Sequence, residues 1–175
     1  MMQEIEKKKA ILKRRAEQLA KPLEKTDYSE DMVEILLFKL ANEQYGIETI
    51  YIKEVFPFKD YTPLPTTPSF LYGLFNLRRR ILSIIDLRVF FSLHSDPKSD
   101  YKVIILENAE KEFGILCEEI NGIQNIPVKH IQPSLPTLTG IREDFLRGVT
   151  NDRAVILDGQ KLLNSKQLIV DETVE

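Results

Sequence analysis

Short apolar runs separated by turn residues make up most of the chain after residue 33. Several such runs at regular spacing are typical of an all-β sandwich or barrel. The pattern predicts strands at 34–40, 50–58, 71–77, 81–87, 101–107, 112–117, 120–127, 145–150 and 154–157, with a further strand-like stretch at 45–47. A short helix is expected at 162–168. The fold class predicted from the pattern is therefore all-β.

The start of the chain has a different, helical pattern. Its apolar positions are Ile5, Leu12, Ala16, Leu19 and Leu23. Their spacings of seven, four, three and four place them on one face of a helix over residues 4–21. Pro22 disfavours helical backbone at Lys21, so we expect the helix to end there. We assign residues 1–32 to an N-terminal helical arm and residues 33–175 to the β-rich domain.

An internal repeat relates the two halves of the β-rich domain. The matching segments are FLYG at 70–73 and FLRG at 145–148, IIDL at 84–87 and ILDG at 156–159, YGI at 45–47 and FGI at 113–115, and LPT at 64–66 and 135–137. Four matches in one order indicate a duplicated unit. We therefore expect two SH3-like five-stranded β-barrel subdomains related by a pseudo-two-fold axis. They would cover roughly 33–92 and 100–165, and could exchange terminal strands.

Charge is unevenly distributed along the chain. Residues 1–25 contain eight Lys or Arg and four Glu, a net charge of +4; since the whole chain carries −3, residues 26–175 carry −7. Phosphate contacts need a positive field, so the acidic β-rich part argues against a nucleic-acid-binding double barrel. The helical arm is expected to pack on its own domain or on a partner. The alternative is a membrane-surface helix, although the apolar stripe is narrow and lacks aromatic residues.

The sequence favours a cytoplasmic protein without membrane insertion. No apolar run approaches the roughly 18 residues that span a bilayer, and the N-terminus has no hydrophobic signal region. Cys117 is the only cysteine and lies in an apolar run. We therefore expect a buried structural thiol in a reducing compartment.

Side chains that could carry chemistry are few and scattered. His94 and His130 lack Cys, His or Asp partners at metal-ligand spacing, so neither a metal site nor a cofactor is expected. Asp86 and Asp158 follow apolar runs at equivalent repeat positions, where Asp is typical of a helix N-cap. A hydrolytic or ligand-binding barrel would instead need both carboxylates in one polar pocket. No coupled acid, base and nucleophile is found, which favours a binding module over an enzyme.

Three consecutive arginines stand where a turn is expected. Arg78, Arg79 and Arg80 separate the apolar runs at 71–77 and 81–87. The acidic character of the β-rich part weakens a phosphate-binding interpretation. We expect a turn between two strands, with Arg80 as an exposed strand start.

These motifs, taken in order, resemble the CheW family, the coupling proteins of bacterial chemosensory arrays. The residues that carry the resemblance are Phe38-x-Leu40, Tyr45-Gly46-Ile47-Glu48, Ile52-Lys53-Glu54-Val55, Thr62-Pro-Leu-Pro-x-x-Pro68, Gly73-x-x-Asn76-Leu77-Arg78, Ile84-Ile85-Asp86-Leu87, Phe113-Gly114-Ile115 and Gly148-Val149. The resemblance runs from about Val33 to Leu168, which is nearly all of the β-rich part.

The resemblance implies two β-barrel subdomains and a non-enzymatic adaptor without cofactors. A protein of this kind bridges the histidine kinase CheA, through the kinase's CheW-like regulatory domain, to the cytoplasmic tip of methyl-accepting chemoreceptors. The helical tip would lie against the groove between the subdomains. The adaptor would work in the cytoplasm, at the inner face of the membrane through the receptor arrays. The alternative is an adaptor of a chemosensory-like pathway that controls pili or another non-flagellar output.

The resemblance also implies a partner-binding surface. Its candidate residues are Glu54, Arg78, Arg79, Ile50, Ile52, Gly73 and Ile120. Glu54 and Arg78 match acidic and basic positions near the receptor contact, and could pair across adjacent strands. The three isoleucines are expected either to line the groove or to belong to the core.

Two residues depart from the family pattern. Arg79 stands where the family usually has Gly, and Ser83 where it favours Pro. Glycine suits a turn with positive φ, and another residue there costs roughly 1–2 kcal/mol. Either the turn is rebuilt or Arg79 tolerates the strain. Both changes lie beside the expected receptor surface.

Overall fold

The computed structural model describes residues 2–19, 31–133 and 140–168. Its helices are α1 (Met2–Leu19), α2 (Leu87–Phe90), α3 (Ile141–Asp144) and α4 (Gly159–Asn164). Its strands are β1 (Met32–Leu40), β2 (Glu43–Glu48), β3 (Ile52–Pro57), β4 (Leu71–Leu77), β5 (Arg80–Ile85), β6 (Lys102–Glu107), β7 (Glu112–Cys117), β8 (Glu119–Pro127), β9 (Leu146–Val149) and β10 (Val155–Leu157). Short 3-10 helices cover Thr49–Tyr51 and Val128–His130. Helix α1 forms a unit separate from the β-rich unit, which begins at Asp31.

The ten strands form two five-stranded sheets. The first sheet has the order β8-β1-β2-β10-β9, and the second has the order β3-β6-β7-β5-β4. Each sheet takes two strands from one half of the β-rich unit and three from the other. In each sheet one strand pair is parallel, β2 with β10 and β7 with β5. The predicted fold class of two related five-stranded units with an N-terminal helix and a short C-terminal helix is confirmed.

The duplicated halves repeat the same close contact inside each sheet. Gly46 on β2 stands opposite Leu37, and Gly114 on β7 stands opposite Ile105. A Cβ atom at Gly46 would lie 2.6 Å from a methyl carbon of Ile35, and one at Gly114 would lie 2.6 Å from a methyl carbon of Ile84. Glycine therefore lets neighbouring side chains cover the strand at both equivalent positions.

The central strands β1, β6 and β7 have continuous apolar runs because both of their faces are covered. On β1, Leu36 and Phe38 belong to the core between the two sheets, which we call the inter-sheet core. Ile35 and Leu37 face the opposite way, into a smaller cluster on the outer face of the first sheet. A corresponding outer cluster lies on the second sheet. Burial on both faces removes the polar alternation of a half-exposed strand.

Most predicted boundaries differ from the structure by a residue or more, and three of these differences have a local cause. The strand expected at 50–58 begins only at Ile52, because Thr49–Tyr51 forms a 3-10 helix. The strand expected at 81–87 covers Arg80–Ile85, and the C-terminal helix begins at Gly159 rather than at 162. In both later cases an aspartate side chain caps the following helix, and this fixes where the helix begins.

The N-terminal helix is present from Met2 to Leu19. Its expected end at Lys21, the apolar position Leu23 and the LPT segment at 135–137 lie outside the described residues. Within the part of the chain that the structure describes, no helix is long and apolar enough to span a membrane.

Candidate partner-binding surface

The arginine run forms the tip of the hairpin between β4 and β5. Leu77 pairs with Arg80, which leaves Arg78 and Arg79 as a two-residue loop. Their φ angles are +47° and +69°. Positive φ at both central residues is the pattern of a type I′ turn, which favours Asn-Gly because its backbone is left-handed. Arg79 therefore adopts the left-handed backbone conformation that glycine would favour, and this lowers stability by roughly 1–2 kcal/mol.

Arg78 and Glu54 form an ion pair, but not between adjacent strands as we predicted. Arg78 Nη2 lies 3.3 Å from Glu54 Oε2. Glu54 is on β3 and Arg78 follows β4, and these strands are the two edges of the second sheet. The pair is close because the sheet curves until its edges approach. The guanidinium carbon of Arg78 also lies 5.9 Å from the ring centre of Phe56, which adds a cation–π contact.

A second group of charges lies along the same sheet. Arg80 Nη1 lies 2.6 Å from Glu112 Oε2, and Lys53 Nζ lies 3.2 Å from Glu112 Oε1. Lys53 also donates a hydrogen bond to Glu107, which raises the pKa of the Lys53 ammonium. The sequence analysis missed this network, because Lys53 and Glu112 are 59 positions apart in sequence and meet only through strand pairing. Of the three arginines, Arg78 and Arg80 each have a carboxylate partner.

The three candidate isoleucines occupy different environments. Ile52 and Ile120 are half-buried and pack against the inter-sheet core. Their positions are equivalent in the repeat, since Ile52 pairs with Leu106 on β6 and Ile120 pairs with Phe38 on β1. Ile50 lies in the 3-10 helix before β3 and is 79% exposed. Ile52 and Ile120 thus border the core between the sheets, whereas Ile50 offers an apolar side chain to solvent.

Gly73 has a packing role that the sequence analysis did not predict. A Cβ atom there would lie 2.6 Å from the carbonyl oxygen of Thr62. Thr62 and Leu74 exchange two backbone hydrogen bonds, each 2.8 Å long, beside this contact. The repeat-equivalent Gly148 stands in the same way against the carbonyl oxygen of Gln132. A contact of Gly73 with a partner stays a prediction.

Asp86 belongs to a buried charge network. Its carboxylate accepts hydrogen bonds from the backbone N–H of Arg88 at 2.9 Å and from the Arg88 guanidinium at 2.9 and 2.7 Å. Arg88 also donates to the hydroxyl of Tyr101 at 2.8 Å and lies 3.4 Å from Glu118 Oε1. All three charged residues are buried. The spacing Asp86-Leu-Arg88 at a helix start was the one local signal of this network.

The two aspartates considered for catalysis are both helix caps. Asp158 accepts a hydrogen bond of 2.9 Å from the backbone N–H of Lys161, as Asp86 does from Arg88. Capping gives both carboxylates a structural partner, and Asp86 is also paired with Arg88, which favours capping over a hydrolytic pair. Among the residues described, no group of three His, Cys, Asp or Glu side chains could hold a metal ion. Cys117 is buried, and its burial raises the pKa of the thiol to about 12.

Comparison with known proteins agrees with this architecture. Residues 34–167 match the family described as CheW-like domain. The chain is 30% identical over 145 residues to the chemotaxis protein CheW of Klebsiella aerogenes, which covers 81% of this chain and 87% of that protein. It is 28% identical over 148 residues to CheW of Treponema pallidum, covering 80% and 87%. The crystal structure of the scaffolding protein TtCheW from Thermoanaerobacter tengcongensis superposes with a TM-score of 0.67 at 30% identity, covering 77% of this chain and 89% of that one.

Proposed function

Because the chain belongs to the CheW-like domain family, we propose that it is a non-enzymatic adaptor that couples methyl-accepting chemoreceptors to a CheA-type histidine kinase. The observation that carries the proposal is the family match over residues 34–167, on a chain that folds into the two related sheets. The adaptor acts at the inner face of the membrane through the receptors that it binds.

A coupling protein has to hold two partners at once, and the described surfaces suit that task. The region between the sheets presents half-buried apolar residues from two repeat-equivalent edge strands, Ile52 on β3 and Ile120 on β8. An amphipathic receptor helix would lay its apolar face against such residues. We assign the receptor tip to this region, with Ile50 as an exposed contact beside it.

Arg78 supplies a positive charge beside β3, through its ion pair with Glu54. Its side chain is 72% exposed, so the guanidinium remains accessible while Glu54 holds one of its nitrogen atoms. An exposed pair of this kind contributes only about 0–1 kcal/mol to stability. Its role is therefore to orient the guanidinium, which can donate further hydrogen bonds to carboxylates or carbonyl groups of a partner.

The experiment that tests the function is co-sedimentation of the purified full chain with a CheA regulatory domain and with a receptor-tip fragment. We expect binding to each partner separately and a ternary complex when both are present. Lack of binding to both at tens of micromolar would show that the assignment is wrong.

The assigned receptor region has its own test in Ile50→Asp. Ile50 is exposed, so we expect this variant to unfold like the parent but to bind the receptor fragment several-fold more weakly. Met32→Asp is the matched control, because Met32 is also exposed but lies at the start of β1. Equal receptor binding by the parent and both variants would place the receptor elsewhere.

A further inference from the structure

The chain between α2 and β6 includes a connection without helix or strand, residues 92–101, which we call the strap. Residues 94–100 of the strap are all exposed. Leu93 is half-buried and packs against the inter-sheet core, so one end of the strap is held by apolar contact. Apolar burial does not hold the middle of the strap, which is held instead by the polar contacts of Lys98.

Lys98 ties the middle of the strap to the buried charge network through two contacts. Its ammonium nitrogen lies 2.6 Å from Glu118 Oε2, and its backbone N–H donates a hydrogen bond of 2.9 Å to the Tyr101 hydroxyl. The contact with Glu118 raises the pKa of the Lys98 ammonium, so this side chain stays charged at neutral pH. The side chain of Lys98 is 46% exposed, whereas that of Glu118 is 1% exposed. A cation on the surface therefore reaches inward to a buried carboxylate.

The two carboxylate oxygens of Glu118 face different parts of the molecule. Oε1 accepts a hydrogen bond of 3.0 Å from the backbone N–H of Ala41, in the turn between β1 and β2, and lies 3.4 Å from the Arg88 guanidinium. Oε2 is buried, and the ion pair with Lys98 compensates for its lost hydration. Without the Lys98 charge this oxygen would need water, and the strap would have to move to admit it.

Both ends of the strap are fixed by contacts that do not involve Lys98. At one end the backbone N–H of Leu93 donates a hydrogen bond of 2.7 Å to the carbonyl oxygen of Arg88. At the other end the Arg88 guanidinium donates a hydrogen bond of 2.8 Å to the Tyr101 hydroxyl, and its carbon lies 4.4 Å from the centre of that ring. A cavity of about 290 Å³ has Leu93 and Pro97 of the strap in its lining together with Arg88. Space for water therefore lies between the strap and the network.

We propose that the strap is a hinged cover over the buried charge network, and that Lys98 is the latch that keeps it closed. Exposed ion pairs contribute little to stability, but here one partner is buried, so the pair cannot be exchanged for water while the strap is closed. Opening is local, because both ends of the strap remain attached. The open strap admits water to Glu118 Oε2, while Oε1 keeps its hydrogen bond from Ala41. A latch of this kind acts within the chain and needs no partner protein.

The latch is tested by backbone ¹⁵N relaxation in NMR on the full chain. Lys98→Met removes the charge and keeps an unbranched side chain. We expect the order parameters of residues 94–96 and 98–100 to fall from about 0.85 to below about 0.6, while those of β4 and β7 stay at the parent values. Lys98→Arg keeps the charge and should keep the strap ordered. Lys102→Met removes a lysine from the exposed start of β6, outside the strap, and should also leave the order parameters unchanged.

The buried end of the latch is tested with Glu118→Gln. Glutamine keeps an oxygen that accepts from Ala41 but lacks the charge that holds Lys98, so the strap should become mobile as in Lys98→Met. Adding Lys98→Met to Glu118→Gln should cause little further change, because both substitutions break the same pair. An ordered strap in Lys98→Met, or an equal loss of order in Lys102→Met, would overturn the proposal. Loss of folding in both Lys98→Met and Glu118→Gln would also overturn it, because a latch holds only the strap.

Discussion

Arg78 Nη2 and Glu54 Oε2 lie 3.3 Å apart, and their ion pair links the two edge strands of the second sheet. Three strands separate β3 from β4 in that sheet. The two edge strands can approach only because the sheet is strongly curved. The first sheet has no such pair at the equivalent positions, because Gly122 stands opposite Leu37 where Glu54 stands opposite Ile105. The charged pair is therefore a property of one half of the duplicated fold.

The first prediction concerns how much this ion pair contributes to stability and to partner binding. Arg78→Ala should lower the free energy of unfolding by less than about 1 kcal/mol, because the arginine is largely exposed and its charge is screened by solvent. The same variant should weaken receptor or kinase binding. Urea unfolding and co-sedimentation measure the two effects. A loss of stability above about 2 kcal/mol would make Arg78 a structural residue and remove the argument for its role in binding.

The second prediction concerns the turn. Arg79→Gly should raise the free energy of unfolding by about 1 kcal/mol, since glycine adopts a φ of +69° without the steric cost of a Cβ atom. Arg80→Gly is the control. Arg80 lies in β5 and donates a hydrogen bond to Glu112, which the variant loses. Glycine also weakens a strand. Denaturant unfolding should rank Arg79→Gly above the parent and Arg80→Gly below it. The reverse order would mean that the Arg79 backbone is not strained.

The contrast between the fold and the site shows what local sequence can predict. The apolar runs and the repeated Gly46 and Gly114 segments specify strands and duplication, because strand formation leaves a periodic signature in neighbouring residues. The approach of Glu54 and Arg78 was predicted from resemblance, but its geometry depends on curvature across a whole sheet. The buried partners of Arg88 were missed because Glu118 is 30 residues away in sequence.

The third prediction concerns the close approach of two chain segments at Gly73. Gly73→Ala should destabilise the protein by about 1–3 kcal/mol, because the new Cβ atom would meet the Thr62 carbonyl oxygen at 2.6 Å and backbone would have to move. Gly122→Ala is a matched control, since its Cβ atom would have no heavy atom within 4 Å and only the φ of +101° is unfavourable. Thermal unfolding should show the larger loss for Gly73→Ala. Equal losses would mean that the contact with Thr62 is easily relieved.

The fourth prediction concerns the buried network. Arg88→Met should lower the free energy of unfolding by about 3–5 kcal/mol, because removing the guanidinium leaves the buried carboxylate of Asp86 without its ion-pair partner. Arg80→Met removes an arginine from a more exposed pair with Glu112 and should cost less than about 1 kcal/mol. Urea unfolding of the two variants gives the comparison. A small effect at Arg88 would show that water or the ammonium of Lys98, which lies 2.6 Å from Glu118 Oε2, compensates for the lost charge.

The fifth prediction concerns Cys117, the buried thiol at the end of β7. Burial raises its pKa to about 12 in the folded protein, whereas an exposed thiol ionises near pH 8.5. At pH 8 the folded protein therefore keeps this thiol protonated, and the protonated thiol is not the nucleophile. Labelling by a thiol reagent should therefore require unfolding, and its rate should rise with urea in step with the unfolded population.

The same pKa difference gives the sign of a pH effect. Between about pH 8.5 and 12 the unfolded thiol is ionised while the folded thiol of Cys117 keeps its proton, so unfolding releases a proton. The free energy of unfolding should fall with rising pH in this interval, by at most about 1.4 kcal/mol per pH unit from this group. Cys117→Ala removes the titrating thiol and should show a shallower fall between pH 8.5 and 10, even though its stability is lower throughout. Rapid labelling of the folded parent at pH 8, or identical slopes for parent and variant, would contradict the burial of this thiol.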